Sequence, residues 1–185
     1  MTRYDTIRDM VTSSGSRVVA EIGVDAGALA AELLKLPQIE RYWMVDPWGR
    51  HALDRRAAAL RVAEDPRVRV IERPSLDAAE SFADGELDMA YIDAVHDYAS
   101  VRDDILVWWP KVRRLLSGHD YVLYNTCVGC PCGVVPAVEE LAARVQRPVL
   151  IDNKTHDTAA GRLLAAYEAS RQRDPAAFPS WSVSK

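Results

Sequence analysis

The sequence predicts an α/β fold, doubly wound around a mostly parallel sheet with helices on both faces. Short apolar runs of strand length alternate with segments of helical periodicity, an order typical of parallel sheets with right-handed crossovers. The first four apolar runs lead into or contain an acidic residue, namely Glu21, Asp46, Glu72 and Asp93. Because parallel strands present their carboxyl ends at one edge, where open α/β sheets bind ligands, we expect these acids to border a ligand site.

Length and composition indicate one domain that spans residues 1–185. The chain has 185 residues, of which 49% are hydrophobic, enough for one substantial core and short for two independent ones. The net charge is −4 without a long basic run, so we expect no nucleic-acid partner. Charges near Met1 and the lack of about 18 consecutive apolar residues predict a soluble, cytoplasmic protein with no membrane partner.

The first predicted strand, 18–22, runs into a glycine turn and a helix. Gly23 and Gly27 let the backbone turn tightly and approach a ligand, and the helix over 28–36 begins at that turn. Asp46 ends the second strand about 20 residues beyond Gly27, where a carboxylate can accept hydrogen bonds from both hydroxyls of a ribose. This layout predicts a nucleoside-binding crevice.

The glycine spacing discriminates between nucleoside ligands. Dinucleotide enzymes carry G-x-G-x-x-G, which brings a helix N-terminus to a pyrophosphate, whereas the segment from Glu21 to Gly27 has the form E-x-G-x-x-x-G. The Glu21 carboxylate suits a positively charged aminoacyl end better than a pyrophosphate. The pattern therefore favours S-adenosylmethionine (SAM), with its ammonium and sulfonium groups. The alternative is an ordinary strand-turn-helix whose glycines serve only the turn.

The remaining elements continue the alternation. Apolar runs predict further strands at 42–46, 68–72, 87–93, through Leu115 and Leu116 to about Gly118, at 149–152 and at 181–183. Helical spacing of apolar residues predicts helices at 52–63, 77–82, 98–109, 136–145 and 159–172. Asp97 is placed to cap the helix over 98–109, Pro110 to end it, and Pro136 to occupy the first turn of the next helix.

A second group of polar residues follows the fourth and fifth predicted strands. Asp93 and His96 follow the fourth strand, and His119 and Asp120 follow the fifth. Neighbouring strand ends bring these four side chains into one region, which suits a divalent cation or a general base. Helix capping by Asp93 and solvent or backbone hydrogen bonding by the histidines are the alternative interpretations.

The motifs described so far and several others occur in a definite order along the chain. They are Glu21-Ile22-Gly23 to Gly27, Val45-Asp46-Pro47-Trp48-Gly49, Ile92-Asp93-Ala94 with His96 and Tyr98, Trp108 to Pro110, Gly118-His119-Asp120-Tyr121, and Gly133-Val134 to Ala137-Val138. As an ordered set they resemble the compact class I SAM-dependent methyltransferases, in the branch that includes macrocin-type sugar O-methyltransferases. The resemblance extends over residues 15–145, and 181–183 resembles the family's closing strand.

The resemblance implies a Rossmann-like, seven-stranded sheet and a SAM site. In that site SAM lies across Glu21, Gly23 and Gly27, with its ribose on Asp46 and its adenine near Ser75. Asp93, at the end of the fourth strand, is counted with the cofactor-binding residues.

The resemblance also bears on metal and base chemistry. In metal-dependent relatives a divalent ion, usually magnesium, is held by acids corresponding to Asp93 and Asp120, and it stabilises the alkoxide that attacks the methyl group. We expect Asp93, His119 and Asp120 to be the metal ligands if one is bound. His119 stands where several relatives have a second acid, which disfavours magnesium. The metal-free alternative uses His96 or His119 as the base, and our expected catalytic residues are Asp93, His96 and Asp120.

The fifth strand has an alternative register. Arg113-Arg114 stands where relatives have a glycine pair, and the spacing to the next motif is short. If the strand were 121–124 instead, Asn125 would occupy the ligand edge. We prefer the register that places Asp120 there, because the motif at Gly133-Val134 then follows after a loop of suitable length.

The three cysteines form a cluster, at Cys127, Cys130 and Cys132, that does not resemble a disulfide framework. Three thiolates and a histidine can bind zinc tetrahedrally, but the C-x-x-C-x-C spacing is not that of a paired zinc knuckle. Zinc binding, a regulatory disulfide and ordinary loop thiols all stay open.

These observations predict a SAM-dependent methyltransferase that methylates a hydroxyl of a small molecule or sugar. A catalytically silent SAM- or nucleoside-binding module, serving as a partner subunit, is the alternative. An N-methyltransferase acting on nucleic-acid bases is disfavoured, since Asp93-Ala94-Val95-His96 replaces the Asn/Asp-Pro-Pro-Tyr tetrapeptide. The chain offers little material for a substrate lid, which favours a homodimer in which a second copy completes the site.

Overall fold

The computed structural model describes residues 3–49, 51–125, 130–152, 154–155, 158–172 and 178–185. Its helices are α1 (Arg3–Ser14), α2 (Ala28–Leu33), α3 (Leu53–Val62), α4 (Ser75–Ala79), α5 (Tyr98–Lys111), α6 (Val134–Val145) and α7 (Ala159–Ala169). Its strands are β1 (Val18–Ile22), β2 (Arg41–Val45), β3 (Val68–Ile71), β4 (Leu87–Ile92), β5 (Val112–Gly118), β6 (Tyr124–Asn125), β7 (Cys130–Pro131), β8 (Val149–Ile151), β9 (Lys154–Thr155) and β10 (Trp181–Ser184).

The main sheet has the strand order β3-β2-β1-β4-β5-β10-β8-β9. Strands β1 to β5 are parallel to one another, and β10 runs antiparallel between β5 and β8. The predicted Rossmann-like, mostly parallel α/β sheet is therefore confirmed. The two-residue strand β9 extends the seven longer strands at one edge.

Helices cover both faces of the sheet, and each face has its own apolar core. Buried residues of α1, α2 and α3 pack on one face, and buried residues of α4, α5, α6 and α7 pack on the other. The central strand β4 shows why two cores form, because Ala90 and Ile92 face one core while Met89 and Tyr91 face the other. Strand β4 is buried along its whole length, as expected of a strand covered on both faces.

The fifth strand follows the preferred register. In β5, Leu115 lies opposite Met89 and Gly118 lies opposite Ile92 of β4, so Asp120 follows the ligand edge of the sheet. The alternative strand at 121–124 is wrong, since Tyr124–Asn125 instead forms a short antiparallel pair with Cys130–Pro131 outside the main sheet.

The N-terminal helix α1 was not predicted from the sequence. Ile7, Met10 and Val11 form its buried stripe at helical spacing and join the core with α2 and α3. Asp97 caps helix α5 as predicted, since its side chain accepts from the Ser100 N–H at 3.0 Å. Pro110 does not end the helix but lies in its last turn, which runs to Lys111. Across the described ranges, no helix is long and apolar enough to cross a bilayer.

Candidate active site

The glycine turn brings the carboxyl ends of β1, β2 and β4 together. Gly23 has a φ of 88°, and a Cβ added there would lie 2.1 Å from the Asp93 carbonyl oxygen. The Gly23 N–H donates to the Val45 carbonyl at 2.9 Å, and the Asp93 N–H donates to the Ile22 carbonyl at 2.8 Å. Only glycine permits this close approach, because any side chain would collide with the backbone of Asp93 and Ala94, directly after β4.

A larger cavity of about 550 Å³ opens beside this turn. Gly23, Asp46, Ser75 and Asp93 all line it, so four of the predicted cofactor residues surround one space. Trp48 and Asp104 line it as well. A mainly apolar crevice with a few polar groups at the carboxyl edge of an α/β sheet is suited to a nucleoside.

Asp46 lies between the second strand and the glycine turn. Its Oδ2 accepts from the backbone N–H groups of Val24 at 2.9 Å and Asp25 at 3.0 Å, and its Oδ1 accepts from Trp48 N–H at 2.8 Å. The carboxylate therefore orders the turn while it borders the larger cavity. Substituting Asp46 would disturb the turn as well as any ribose contact.

The far end of the larger cavity carries a hydrogen-bonded group that the sequence did not reveal. The Trp108 indole N–H donates to the Ser75 Oγ at 2.8 Å, which fixes the serine predicted to lie near adenine. Asp104 of the same helix is buried, and burial raises the pKa of its carboxyl, although a hydrogen bond from Ser75 acts in the opposite direction. Trp108 is fully buried, as expected of a core tryptophan, yet its polar atom positions Ser75.

A smaller cavity of about 250 Å³ lies on the other side of the glycine turn. Gly23, Asp25 and Asp93 line both cavities, so the two spaces meet at the ends of β1 and β4. Glu21 lines the smaller cavity, is 2% exposed, and accepts a hydrogen bond from the Tyr42 hydroxyl at 2.8 Å. Burial raises the pKa of Glu21 to about 8, and the Tyr42 hydrogen bond only partly offsets it.

Gly27 differs from the other predicted cofactor residues, because it lines neither cavity among the described residues. It has a φ of 79° at the start of α2, and an added Cβ would lie 3.1 Å from the Ala59 Cα. Gly27 lets the chain turn into α2 and lets α2 pack closely against α3.

The four polar residues after β4 and β5 form one cluster. The two ring nitrogens of His96 lie between carboxylates, with Nε2 3.4 Å from Asp93 Oδ1 and Nδ1 3.3 Å from Asp120 Oδ2. His119 Nδ1 lies 2.7 Å from Asp120 Oδ1 and 4.0 Å from Asp93 Oδ1. The structure therefore brings together the residues predicted for catalysis and metal binding. Asp93 is the member of the cluster that also lines both cavities.

His119 and Asp120 of this cluster are buried, Asp93 and His96 are partly buried, and the charges of the cluster interact. Burial alone would lower the pKa of His96, but the Asp93 and Asp120 carboxylates raise it above its ordinary value. Burial alone would raise the pKa of Asp93, but His96, His119 and Arg3 together lower it. His96 Nε2, His119 Nε2 and Asp120 Oδ1 are buried without an aligned hydrogen-bond partner among the residues that the structure describes. Such atoms are costly in a core and are typical of sites that bind something.

Arg3 is a site residue that sequence reasoning missed. It is the first residue of α1, it lines the smaller cavity with Glu21, and its Nη2 donates to Asp93 Oδ2 at 2.5 Å. The signal that could have found it is the helical stripe of Ile7, Met10 and Val11, since Arg3 lies one turn before Ile7 on the same face.

Two of the three clustered cysteines lie wholly or partly outside the described residues, namely Cys127 and the side chain of Cys130. Cys132 is buried, and its Sγ lies 3.5 Å from the Asp120 carbonyl oxygen, to which it donates. The three alternatives for Cys127, Cys130 and Cys132, which are zinc binding, a regulatory disulfide and ordinary loop thiols, therefore stay open.

Comparisons with known proteins agree with this geometry. Residues 20–121 match the family described as "Methyltransferase domain". Among solved structures, a Staphylococcus aureus protein assigned as a caffeoyl-CoA O-methyltransferase superposes with a TM-score of 0.68 and 13% identity, over 98% of this chain and 82% of that one. The O-methyltransferase TomG from Streptomyces achromogenes superposes with a TM-score of 0.61 and 13% identity, over 98% and 79% of the two chains.

Spermidine synthase from Thermotoga maritima shares the fold too, with a TM-score of 0.60 and 14% identity, over all of this chain and 60% of that one. At sequence identities of 13 and 14%, these structural similarities show a shared fold only. A comparison with curated proteins finds no significant match. The family match covers more than half of the 185 residues, and it confirms the resemblance drawn from the motifs: this protein belongs to the methyltransferase domain family and is a class I SAM-dependent methyltransferase.

Proposed function

We propose that this protein transfers the methyl group of SAM to a hydroxyl oxygen of a small molecule or sugar. The observation that carries the proposal is the largely buried cluster of Asp93, His96, His119 and Asp120. Its member Asp93 lies where the two cavities meet. A hydroxyl needs a base or a positive charge beside it to become a nucleophile, and this cluster can supply either.

The two cavities suit the two halves of the cofactor. The larger one, with Asp46 and Ser75, fits an adenosine, and the smaller one, with Glu21, fits an aminoacyl chain. The sulfonium would then lie at their junction beside Gly23 and Asp93. In this arrangement the methyl group would point toward the cluster of Asp93, His96, His119 and Asp120.

Methyl transfer requires little chemistry beyond alignment and removal of one proton. The acceptor oxygen forms its bond to the methyl carbon as the carbon–sulfur bond breaks, and the sulfonium becomes the neutral sulfide of S-adenosylhomocysteine. The hydroxyl proton passes to His96, whose imidazolium is stabilised by the carboxylates of Asp93 and Asp120 at 3.4 and 3.3 Å. Most of the rate enhancement should come from holding the oxygen in line with the sulfur–methyl bond.

The same cluster has the donor set of a divalent cation site. One ligand atom from each of Asp93, His119 and Asp120 lies within 4.8 Å of the others, and Asp120 Oδ1 has no aligned hydrogen-bond partner within the described chain. Two carboxylates and one imidazole fit a transition metal or zinc better than magnesium. When bound, such an ion would stabilise the negative charge on the acceptor oxygen.

Names of two fold relatives agree with oxygen as the acceptor atom. TomG is named as an O-methyltransferase, and the Staphylococcus aureus protein as a caffeoyl-CoA O-methyltransferase. We propose a small-molecule acceptor on the same grounds, and a homodimer as the form in which the acceptor side is enclosed.

Calorimetry with SAM and S-adenosylhomocysteine, followed by incubation with a panel of hydroxylated sugars and phenols, tests the proposal. We expect binding of both ligands and formation of S-adenosylhomocysteine with a methyl ether product, with and without added divalent metal. Failure to bind either ligand at millimolar concentration would contradict the proposal. Binding without transfer to any oxygen, nitrogen or sulfur acceptor would favour the silent binding module.

A further inference from the structure

Helix α1 holds a guanidinium over the smaller cavity. Ile7, Met10 and Val11 bury the helix against the core, with exposures of 0 to 2%, so the backbone of Arg3 is anchored one turn away from packed residues. The Arg3 side chain lies in the lining of the cavity beside Glu21 and the glycine turn. A side chain placed this way is part of the site and not of the solvent-exposed surface.

The hydrogen-bonding capacity of Arg3 is only partly used. Its Nη2 donates to Asp93 Oδ2, but its Nε is buried without a hydrogen-bond partner among the described residues. A buried guanidinium N–H without an acceptor costs free energy, and a second acceptor in the cavity would remove that cost. A carboxylate is the acceptor that matches the planar guanidinium best.

The charges around the smaller cavity complement an α-amino acid. The acids in its lining, which can face an ammonium group, are Glu21, Asp25 and Asp93. Arg3 is the base among its described lining residues, and it can face a carboxylate. A ligand with an ammonium but no carboxylate would leave the Arg3 Nε unpaired. It would also bring its positive charge near the Arg3 guanidinium without a carboxylate of its own to reduce the repulsion.

We propose that Arg3 binds the α-carboxylate of the cofactor's aminoacyl end and makes the protein select SAM over adenosyl sulfonium ligands that lack this carboxylate. The inference rests on the proposed function, because it assigns the smaller cavity to the aminoacyl end. It adds the N-terminal helix to the cofactor site and gives Arg3 a role in ligand selection.

Calorimetry on the full chain with three ligands tests the inference. The ligands are SAM, decarboxylated SAM, and 5′-methylthioadenosine, which lacks the aminoacyl end altogether. We expect the wild type to bind SAM on the order of 100-fold more tightly than decarboxylated SAM, because only SAM can form the charge-assisted hydrogen bond with Arg3. Arg3→Met should reduce that ratio to less than about fivefold while leaving the affinity for 5′-methylthioadenosine unchanged.

Three controls separate ligand selection from damage to the fold. Binding of 5′-methylthioadenosine by Arg3→Met shows that the nucleoside cavity is intact. Arg3→Lys keeps the charge but not the planar fork, and we expect an intermediate ratio. Arg8→Met removes a positive charge from the same helix at a residue outside the lining of both cavities, and it should keep the wild-type ratio.

Two results would overturn the inference while leaving the proposed function in place. One is a wild type that binds SAM and decarboxylated SAM equally well. The other is an Arg3→Met variant that keeps the wild-type ratio. A wild type that binds none of the three ligands would instead contradict the proposed function, and the role of Arg3 would fall with it.

Discussion

Two buried carboxylates on neighbouring strands show how the two ends of the parallel strands differ. We call the side of the sheet where these strands start the amino edge, and the side where they end the carboxyl edge. Asp88 lies near the start of β4 and is 1% exposed, and Glu21 lies near the end of β1 and is 2% exposed. Asp88 accepts from the backbone N–H groups of Arg17 and Val18, both at 2.9 Å, and from the Nε atoms of Arg113 at 2.6 Å and Arg114 at 2.9 Å. Glu21 accepts one hydrogen bond, from Tyr42.

The pKa values follow from these surroundings. Burial raises the pKa of both carboxyls, but the hydrogen bonds from Arg113 and two backbone amides bring the pKa of Asp88 well below its ordinary value. For Glu21 burial dominates, and the pKa rises to about 8. The amino edge therefore has its charges satisfied by the protein itself, whereas the carboxyl edge leaves charge and hydrogen-bonding capacity for a ligand. The amino edge thus contributes mainly to the stability of the fold, and the carboxyl edge is suited to binding a ligand.

The strongest test of this division is Asp93→Asn at the carboxyl edge. We expect turnover to fall on the order of 1000-fold, because the cluster loses a charge beside the acceptor, while the affinity for SAM falls by only about tenfold, because the cofactor's ammonium group and Arg3 lose one charged partner. Steady-state kinetics and calorimetry measure the two quantities. Equal losses in turnover and in SAM affinity would mean that Asp93 serves binding and not the reaction.

The matching change at the amino edge is Asp88→Asn. Loss of the charge that pairs with Arg113 and Arg114 should lower the free energy of unfolding by about 3 kcal/mol and leave SAM affinity within about threefold. Because the folded pKa of Asp88 is lowered, its contribution is present above the ordinary value of 3.8 and is lost as the pH falls toward the folded pKa. Urea titrations at pH 7 and pH 3 should therefore show a smaller difference at pH 3.

The control for Asp88→Asn is Asp84→Asn, since the Asp84 side chain is 73% exposed and pairs with Lys111 at the surface. That substitution should change the free energy of unfolding by less than about 0.5 kcal/mol. Similar losses in the two variants would show that burial and multiple donors add nothing at Asp88.

Glu21→Gln tests the role of the carboxyl edge in ligand binding. The substitution removes the charge of Glu21 but keeps an oxygen that can accept the hydrogen bond from Tyr42. We expect SAM affinity to fall about 30-fold, since the ammonium loses a charged partner. Calorimetry at pH 9 is the measurement, where Glu21 of the wild type is ionised. Glu40→Gln, at an exposed carboxylate paired with Arg17, is the control and should leave SAM affinity unchanged.

The smallest expected effect is a pH dependence of stability in the ligand-free protein. Since the folded pKa of Glu21 is raised, its contribution is fully present below the ordinary value of 4.5 and is lost as the pH rises through about 8. Between pH 6 and pH 7.5 the wild type should lose about 2 kcal/mol relative to Glu21→Gln, because one proton costs about 1.4 kcal/mol per pH unit. Parallel urea titrations of the two proteins measure this difference, and coincident profiles would contradict the raised pKa.

Most of the sheet could be predicted from the sequence, for a simple physical reason. Buried strands need largely apolar runs, and the runs at β1, β2, β3 and β4 are each followed by a glycine or an acidic residue that starts a turn. Asp46 and Asp93 could be placed at the ligand edge on the same grounds. The short strands β6, β7 and β9 were not predicted, because two-residue pairings leave no periodicity to read.

The charge network at the amino edge shows what sequence patterns do not contain. Arg113 and Arg114 depart from the family pattern and made the register of β5 ambiguous. In the structure the two guanidinium groups converge on Asp88, 25 and 26 residues earlier in the chain. An ion pair of this kind depends on the pairing of β4 with β5, so it becomes visible only once that pairing is known.

The sequence by itself determined the fold class, the family and the chemical character of the ligand edge, because apolar runs, glycine turns and strand-end acids are local features. Tertiary structure alone decided that Arg3 reaches Asp93 across 90 positions of sequence, and that one buried acid is satisfied while another is not. Burial and hydrogen-bond partners set the charge state of a carboxyl group, and both are properties of its three-dimensional surroundings.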